Sequence, residues 1–225
     1  MANFDELSRD YKDILDKDLR LSGEKTEYFA EVKAKYVKDY MKDGFLGRIL
    51  DYGCGIGLVS KSLREHFDRP QVEIRGYDIS ADSIRQARKD VSGVAFTDSF
   101  NEIEKEKFDV IIMANVLHHT EASKRPGLIK SLRAMLNSGG KIFVFEHNPY
   151  NPLTRLVVKL SVIDKGADLL RLGDLIRLLE DADMRICERR YITFFPRALK
   201  ALRSLEPALG LLPLGAQYMC VAGCK

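Results

Sequence analysis

Long hydrophobic runs are missing from this 225-residue chain: nothing approaches the roughly 18 consecutive apolar residues that a membrane-spanning helix needs. A secretory leader is missing as well, since the charged N-terminus (Asp5, Glu6, Arg9, Asp10) has no apolar core. Charge of one sign is scarce. The formal net charge is +3, and Lys and Arg alternate with acids instead of massing on one segment, so no nucleic-acid surface is expected. The four cysteines (Cys54, Cys187, Cys220, Cys224) form no C-x-x-C pair. That speaks against a disulfide framework or a structural zinc site and for a reducing, cytoplasmic location. Internal repeats and low-complexity tracts are absent too. With 45% hydrophobic and 31% charged residues, the chain can build one substantial globular core.

What is present begins at Arg48-Ile49-Leu50-Asp51-Tyr52-Gly53-Cys54-Gly55-Ile56-Gly57-Leu58. A β-prone run enters a loop with glycine at every second position, and an amphipathic helix follows. Glycines so close together serve where a ligand lies against bare backbone, because a Cβ there would collide with it. The dinucleotide fingerprint G-x-G-x-x-G would place its third glycine at position 58, which is Leu58. The spacing is instead G-x-G-x-G, with an acid (Asp51) two residues upstream.

Strand and helix then alternate. Arg48–Tyr52, Glu73–Tyr77, Val94–Thr97, Phe108–Ala114 and Lys141–Phe145 read as strands. Leu58–Phe67 is helical with Val59, Leu63 and Phe67 inward, and Ser80 can cap a helix carrying Ile84, Ala87 and Val91. Leu128, Ile129, Leu132, Met135 and Leu136 form a helix face that stops at Gly139-Gly140. Before the first strand, Phe29, Val32, Tyr36 and Tyr40 repeat at three-to-four spacing on one face of a helix, and Ser22-Gly23 separates it from an amphipathic piece around Tyr11 to Leu21. Near the C-terminus, Arg185–Phe195 and Gln217–Ala222 read as two more strands; Cys220 and Cys224 share a face of the latter and read as small core residues. The expectation is an α/β fold: a Rossmann-like doubly wound sheet of about seven strands, mostly parallel, with helices on both faces. Residues 1–45 form an N-terminal helical cap and 46–225 the cofactor-binding domain, one globular unit overall.

In such sheets ligands bind beyond the carboxyl ends of the strands. The residues there are Asp51, Gly53, Cys54, Gly55 and Gly57 after the first strand, and Asp78 and Ile79 after the second. Asp98 and Ser99 follow the third, Asn115 through His118 and His119 the fourth, and Glu146, His147 and Asn148 the fifth. An acid at Asp78 can accept from both hydroxyls of a ribose, and one at Asp98 from an adenine amino group.

On its glycine loop and strand-end acids the chain resembles the class I S-adenosylmethionine-dependent methyltransferases, strongly from about Gly47 to His147 and loosely elsewhere. The resemblance implies S-adenosyl-L-methionine as cofactor and S-adenosyl-L-homocysteine as product. It implies a last strand running antiparallel beside the fifth, a ribose role for Asp78, an adenine role for Asp98, and a place for Asn115 near the methionine portion. The expected reaction is in-line methyl transfer to a small-molecule acceptor, with O- or C-methylation favoured. Alternatives are a non-catalytic S-adenosylmethionine-binding regulatory protein or an NAD(P)-dependent oxidoreductase. The oxidoreductase is opposed by Leu58 and by the lack of a Tyr-x-x-x-Lys pair.

Three of the four histidines (His118, His119, His147) fall beside the expected methyl group, where imidazole can take a proton from a hydroxyl. They are the catalytic candidates, though packing alone would also explain a double histidine. A metal site built from His118, His119, His147 and Glu146 is the lesser alternative and none is assigned, because adjacent histidines, not at i, i+4 spacing, would diverge on a regular element. Tyr11, Glu146, Tyr150 and Arg155 are candidates for the substrate pocket. Asn148-Pro149-Tyr150 follows the wrong strand and lacks the second proline for the Asn-Pro-Pro-aromatic motif of amino-methyltransferases. The leucine-rich stretch from Phe194 to Gly215 reads as a cap over the last two strands, or as a rim touching an apolar or lipid-linked acceptor. The acceptor's identity and the oligomeric state are not encoded in any recognised motif.

Overall fold

The structure is a computed structural model that describes residues 16, 17, 19 and 23–225. The piece around Tyr11, Tyr11 itself and Ser22 lie outside the described residues. Seven strands make one sheet in the order β3-β2-β1-β4-β5-β7-β6. They are β1 (Gly47–Tyr52), β2 (Val72–Tyr77), β3 (Ala95–Thr97), β4 (Phe108–Ala114), β5 (Leu136–His147), β6 (Met184–Ile192) and β7 (Gln217–Cys224). β1 to β5 pair in parallel, and β7 inserts antiparallel between β5 and β6. The chain order reverses at β1/β4, so the carboxyl ends of those strands open a crevice.

Helices cover both faces. α1 (Thr26–Met41) and α2 (Leu58–His66) lie on one, with Ala34, Val37, Leu63 and Phe67 packed against Ile49, Val110, Ile112 and Phe143. α3 (Ala81–Asp90) covers the β2–β3 end through Ile84, Ala87 and Phe96. α4 (Arg125–Ala134) and α6 (Leu172–Asp181) cover the other face, where Ile129, Leu132, Leu175 and Leu179 meet Ile111, Met113, Ile142 and Val144. α5 (Pro152–Leu160) follows β5 across the strand ends. β4 is buried on both sides because its residues alternate between the two layers, which is why it reads as an unbroken apolar run. Each such buried Ile or Leu contributes roughly 1.5–3 kcal/mol.

The inward face of α1 is Thr26, Ala30, Lys33, Ala34 and Val37, while Phe29, Val32, Tyr36 and Tyr40 are half-buried at its flanks. Small side chains inside let the helix approach the sheet. Two expectations are corrected. First, α4 stops at Ala134, and Leu136 already belongs to β5, paired with Phe108. Gly139 (φ 78°) then lets the strand bulge and reset its register to Lys141 opposite Val110. Finally, the leucine-rich stretch is no buried cap. Its short helical pieces bury no residue, and Leu199, Leu202, Leu205, Leu211 and Leu214 are exposed. Among the described residues no helix is long and apolar enough to cross a membrane.

Candidate functional site

A cavity of about 700 Å³ lies over the ends of β1, β4 and β5, walled by α1 on one side and α5 on the other. The glycine loop forms its floor. All three glycines have positive φ: 75° at Gly53, 53° at Gly55 and 81° at Gly57. Only one of them faces open space. A Cβ at Gly53 would meet Val116 Cγ2 at 2.5 Å, and one at Gly57 would meet Phe96 and Ala87 at 3.0 and 3.2 Å. A Cβ at Gly55 would meet no protein atom within 4 Å. Packing therefore constrains Gly53 and Gly57, and Gly55 alone leaves open space against its backbone.

Asp78 holds this loop from β2. Its Oδ2 accepts from the Gly55 N–H at 2.8 Å and its Oδ1 from the Ser80 N–H at 2.9 Å. Asp78 also lines the cavity, where a carboxylate can accept from a ribose diol. Ser80 in turn caps α3 by accepting from the Ser83 N–H. Asp51 is buried at the end of β1 and accepts from Ser60 Oγ at 2.6 Å. Burial pushes its carboxyl up to about 6, against the Ser60 hydrogen bond. Cys54, Ile79 and Asn115 also line the cavity. Burial raises the Cys54 thiol well above its ordinary range, so it is no nucleophile.

Asn115 stands at the end of β4 in a left-handed conformation (φ 60°), costly for a residue with a side chain. Its buried Oδ1 has no hydrogen-bond partner among the described residues, and neither has Oε1 of Gln217 on β7. Both residues line the cavity. Two orphaned acceptors beside a glycine loop fit a ligand that brings N–H donors, as the ammonium of a methionine moiety would.

The expected divergence of His118 and His119 is overturned. A 3₁₀ turn over Leu117–His119 brings their ring centroids to 4.2 Å, and His147 lies 5.1 Å from His118. Glu146, buried in β5, organises the turn: it accepts from His118 Nδ1 at 2.5 Å and from the Leu117 N–H at 2.7 Å. Facing all three rings is Asp164, which sequence reasoning missed. Its Oδ1 lies 3.4 Å from His118 Nε2 and 3.3 Å from His119 Nε2, and its Oδ2 lies 4.0 Å from His147 Nε2. The loop carrying it is pinned to the histidine turn. The Asp168 N–H donates to the His118 carbonyl, and buried Arg125 bridges the Leu117, Thr120 and Asp168 carbonyls.

The charges differ sharply across this cluster. Burial alone would lower the pKa of His118, but Glu146 and Asp164 override it and hold the imidazole up at about 9. Burial and neighbouring His118 push His147 down to about 4, leaving it neutral. Asp164 is held far below the usual carboxylate range; its burial opposes this, and the histidines clustered around it outweigh that. Lys33, the second residue missed, reaches in from α1. It is 3% exposed, and burial lowers it to about 8 although Glu146 and Asp51 oppose that shift. A lysine inside the apolar stripe of α1 was the available signal.

Other candidates fall outside the cavity lining. Arg155 is exposed on α5, and Tyr150 is 52% exposed beneath the Arg171 guanidinium, 5.9 Å from its ring. Asp98 is exposed beyond Tyr77, and Ser99 lies with it outside the lining. Glu146 acts from behind His118. Asn148 is a clamp, donating to the Pro213 and Gly215 carbonyls, which leaves nothing of the amino-methyltransferase motif.

Comparison with known proteins agrees with this geometry. A methyltransferase-domain family profile matches residues 50–142. Carboxy-S-adenosyl-L-methionine synthase of Aeromonas salmonicida is 30% identical over 118 residues, 47% of this chain and 48% of that protein. Ribosomal RNA small subunit methyltransferase C of Salmonella arizonae is 31% identical over 120 residues, 49% of this chain and 34% of that protein. The matched region thus spans at most about half of these curated relatives. Among solved structures, a TehB-like SAM-dependent methyltransferase from Corynebacterium glutamicum shares the fold, with a TM-score of 0.66 at 17% identity over 98% of this chain and 99% of that one.

Proposed function

We propose that the chain is a class I S-adenosylmethionine-dependent methyltransferase, a reading supported by the methyltransferase-domain match over residues 50–142, and that it methylates an oxygen or carbon of a small, largely apolar molecule. The observation that carries the acceptor class is the wall of the cavity beyond Asn115. Phe29 and Ala30 of α1 line it together with Leu153, Val157 and Ile163 of the α5 region, and the polar groups among them include His119, His147, Asp164, Lys33, Thr26, Thr154 and Ser161. Such a wall suits an apolar body with one reactive polar end. Exposed Leu156 and Leu160 continue on the outer side of α5 and suit a lipid-linked acceptor.

Bound S-adenosylmethionine supplies an electrophilic methyl on a sulfonium. Asp78 would take the ribose hydroxyls, the Gly55 backbone would lie against the ligand, and Asn115 and Gln217 would accept from the methionine ammonium. Asp98, outside the lining, would take the adenine amino group from the rim of the cavity. α1 and α5 hold the acceptor in line with the methyl and exclude water. Positioning of this kind is worth roughly 7–11 kcal/mol, more than the 10²–10⁴-fold a general base typically adds. Where a proton must leave, His119 is the acceptor we favour, because His147 at about 4 is a weak base and His118 is already engaged by Glu146.

The test is methyl-labelled S-adenosylmethionine offered with an organic-soluble metabolite extract and, separately, with ribosomal RNA. Label recovered in the organic phase supports the proposal. Label in RNA alone overturns it.

A further inference from the structure

We propose that His118, His147 and Asp164 form a binding site for a divalent transition metal ion of the zinc class, open toward the acceptor half of the cavity.

The donor atoms of these three residues all lie within 4.8 Å of one another. The separations have the size that coordination requires. Bonds of about 2.0–2.1 Å to a tetrahedral ion set neighbouring donors about 3.3 Å apart. His118 Nε2 stands 3.4 Å from Asp164 Oδ1. That is long for a charge-assisted hydrogen bond, which runs about 2.7–2.9 Å. Accordingly His118 Nε2, on a residue only 2% exposed, has no hydrogen-bond partner among the described residues, Asp164 being an ionic neighbour at 3.4 Å.

The surroundings of His118 are those of a ligating histidine. A metal-bound imidazole usually gives its other ring N–H to a carboxylate, which fixes tautomer and orientation. Glu146 does this at Nδ1, at 2.5 Å, and is itself anchored by the Leu117 N–H. That leaves Nε2, which would give up its proton to the ion, as the ring atom facing Asp164. Two imidazoles and one carboxylate, with a remaining position facing a cavity, is a donor set known for catalytic ions. His119 Nε2, 3.3 Å from Asp164 Oδ1, stands beside the site as a proton acceptor.

The ion's role rests on the methyl-transfer reading; its binding does not. An acceptor hydroxyl on the ion would lose its proton to His119. The resulting oxyanion would attack the methyl carbon, forming O–CH₃ while the C–S bond breaks and its electron pair stays on sulfur, giving the thioether. His119 then releases its proton to water.

The experiment is calorimetric titration of the chelator-stripped full chain with Zn²⁺, without cofactor, and with Co²⁺ as a spectroscopic probe of coordination. The expected result is one equivalent bound, with a tetrahedral or five-coordinate Co²⁺ spectrum. His147→Ala and Asp164→Asn should each abolish this site, and Glu146→Gln should weaken it about 10- to 100-fold. His66→Ala, remote on α2 beside Glu31, should leave it unchanged. Circular dichroism separates loss of binding from loss of fold, and two ligand variants guard against one that fails to fold. No stoichiometric binding by the folded wild-type protein overturns the proposal, as does binding indifferent to His147 and Asp164. S-adenosylhomocysteine affinity, measured separately on the same metal-free protein, reports on the methyltransferase reading, so either can fail alone.

Discussion

The Gly55 N–H donates to Asp78 Oδ2 at 2.8 Å, so the acid at the end of β2 shapes the glycine loop it faces. One side chain thus holds the backbone of β1's loop and lines the cavity, where the proposed ribose would lie. Asp78→Ala removes both, and Asp78→Asn keeps a neutral acceptor. S-adenosylhomocysteine affinity should fall about 10- to 150-fold in the alanine variant, the worth of a hydrogen bond to a charged group, and less in the asparagine variant. Equal affinity in all three proteins would remove Asp78 from the site.

The glycines of the loop should separate in their effects. Gly53→Ala forces a Cβ into Val116 and should lower thermal stability first. Gly55→Ala meets no protein atom, so its stability cost is limited to the left-handed backbone, about 1–2 kcal/mol. Its main effect should be on S-adenosylhomocysteine affinity. A Gly55→Ala protein that binds as tightly as wild type would show that no ligand lies against that residue.

Lys33 gives a pH signature. Its pKa falls from 10.5 unfolded to about 8 folded, so the unfolded chain binds more protons between those values and stability rises with pH across that window. The charged form costs the fold about 3 kcal/mol at pH 7. Lys33→Met should therefore be more stable than wild type at pH 7 by an amount of that order, and the gap should close as pH climbs from 8 to 10.5. Denaturant midpoints at several pH values check this; a gap independent of pH would mean that Lys33 is not buried as a charge.

His119→Gln keeps a polar side chain near Asp164 but cannot accept a proton from a hydroxyl. Turnover should fall by about 10²–10⁴-fold with S-adenosylhomocysteine affinity retained. Unchanged turnover would leave positioning as the whole of catalysis.

The sequence was legible where burial writes a continuous signal. β4 was found with its bounds, because a strand covered on both faces must be apolar throughout, and the glycine loop and Asp78 stand at fixed distances from strand ends. The inward face of α1 was not legible: two stripes one position apart both repeat at three to four residues, and the aromatic one is the flank. Asp164 was invisible for another reason. Its loop is placed by tertiary hydrogen bonds, Asp168 to the His118 carbonyl and Arg125 to three carbonyls, which no local pattern encodes. The adjacent histidines were expected to diverge as on a regular element, and the 3₁₀ turn held by Glu146 brings them together instead.

The most direct test of the central claim is calorimetric titration of the purified protein with S-adenosylhomocysteine, with NADH and NADPH in parallel. The expected result is micromolar binding of S-adenosylhomocysteine alone, lost in Asp78→Ala. Binding of a nicotinamide cofactor in its place would contradict the assignment at its base.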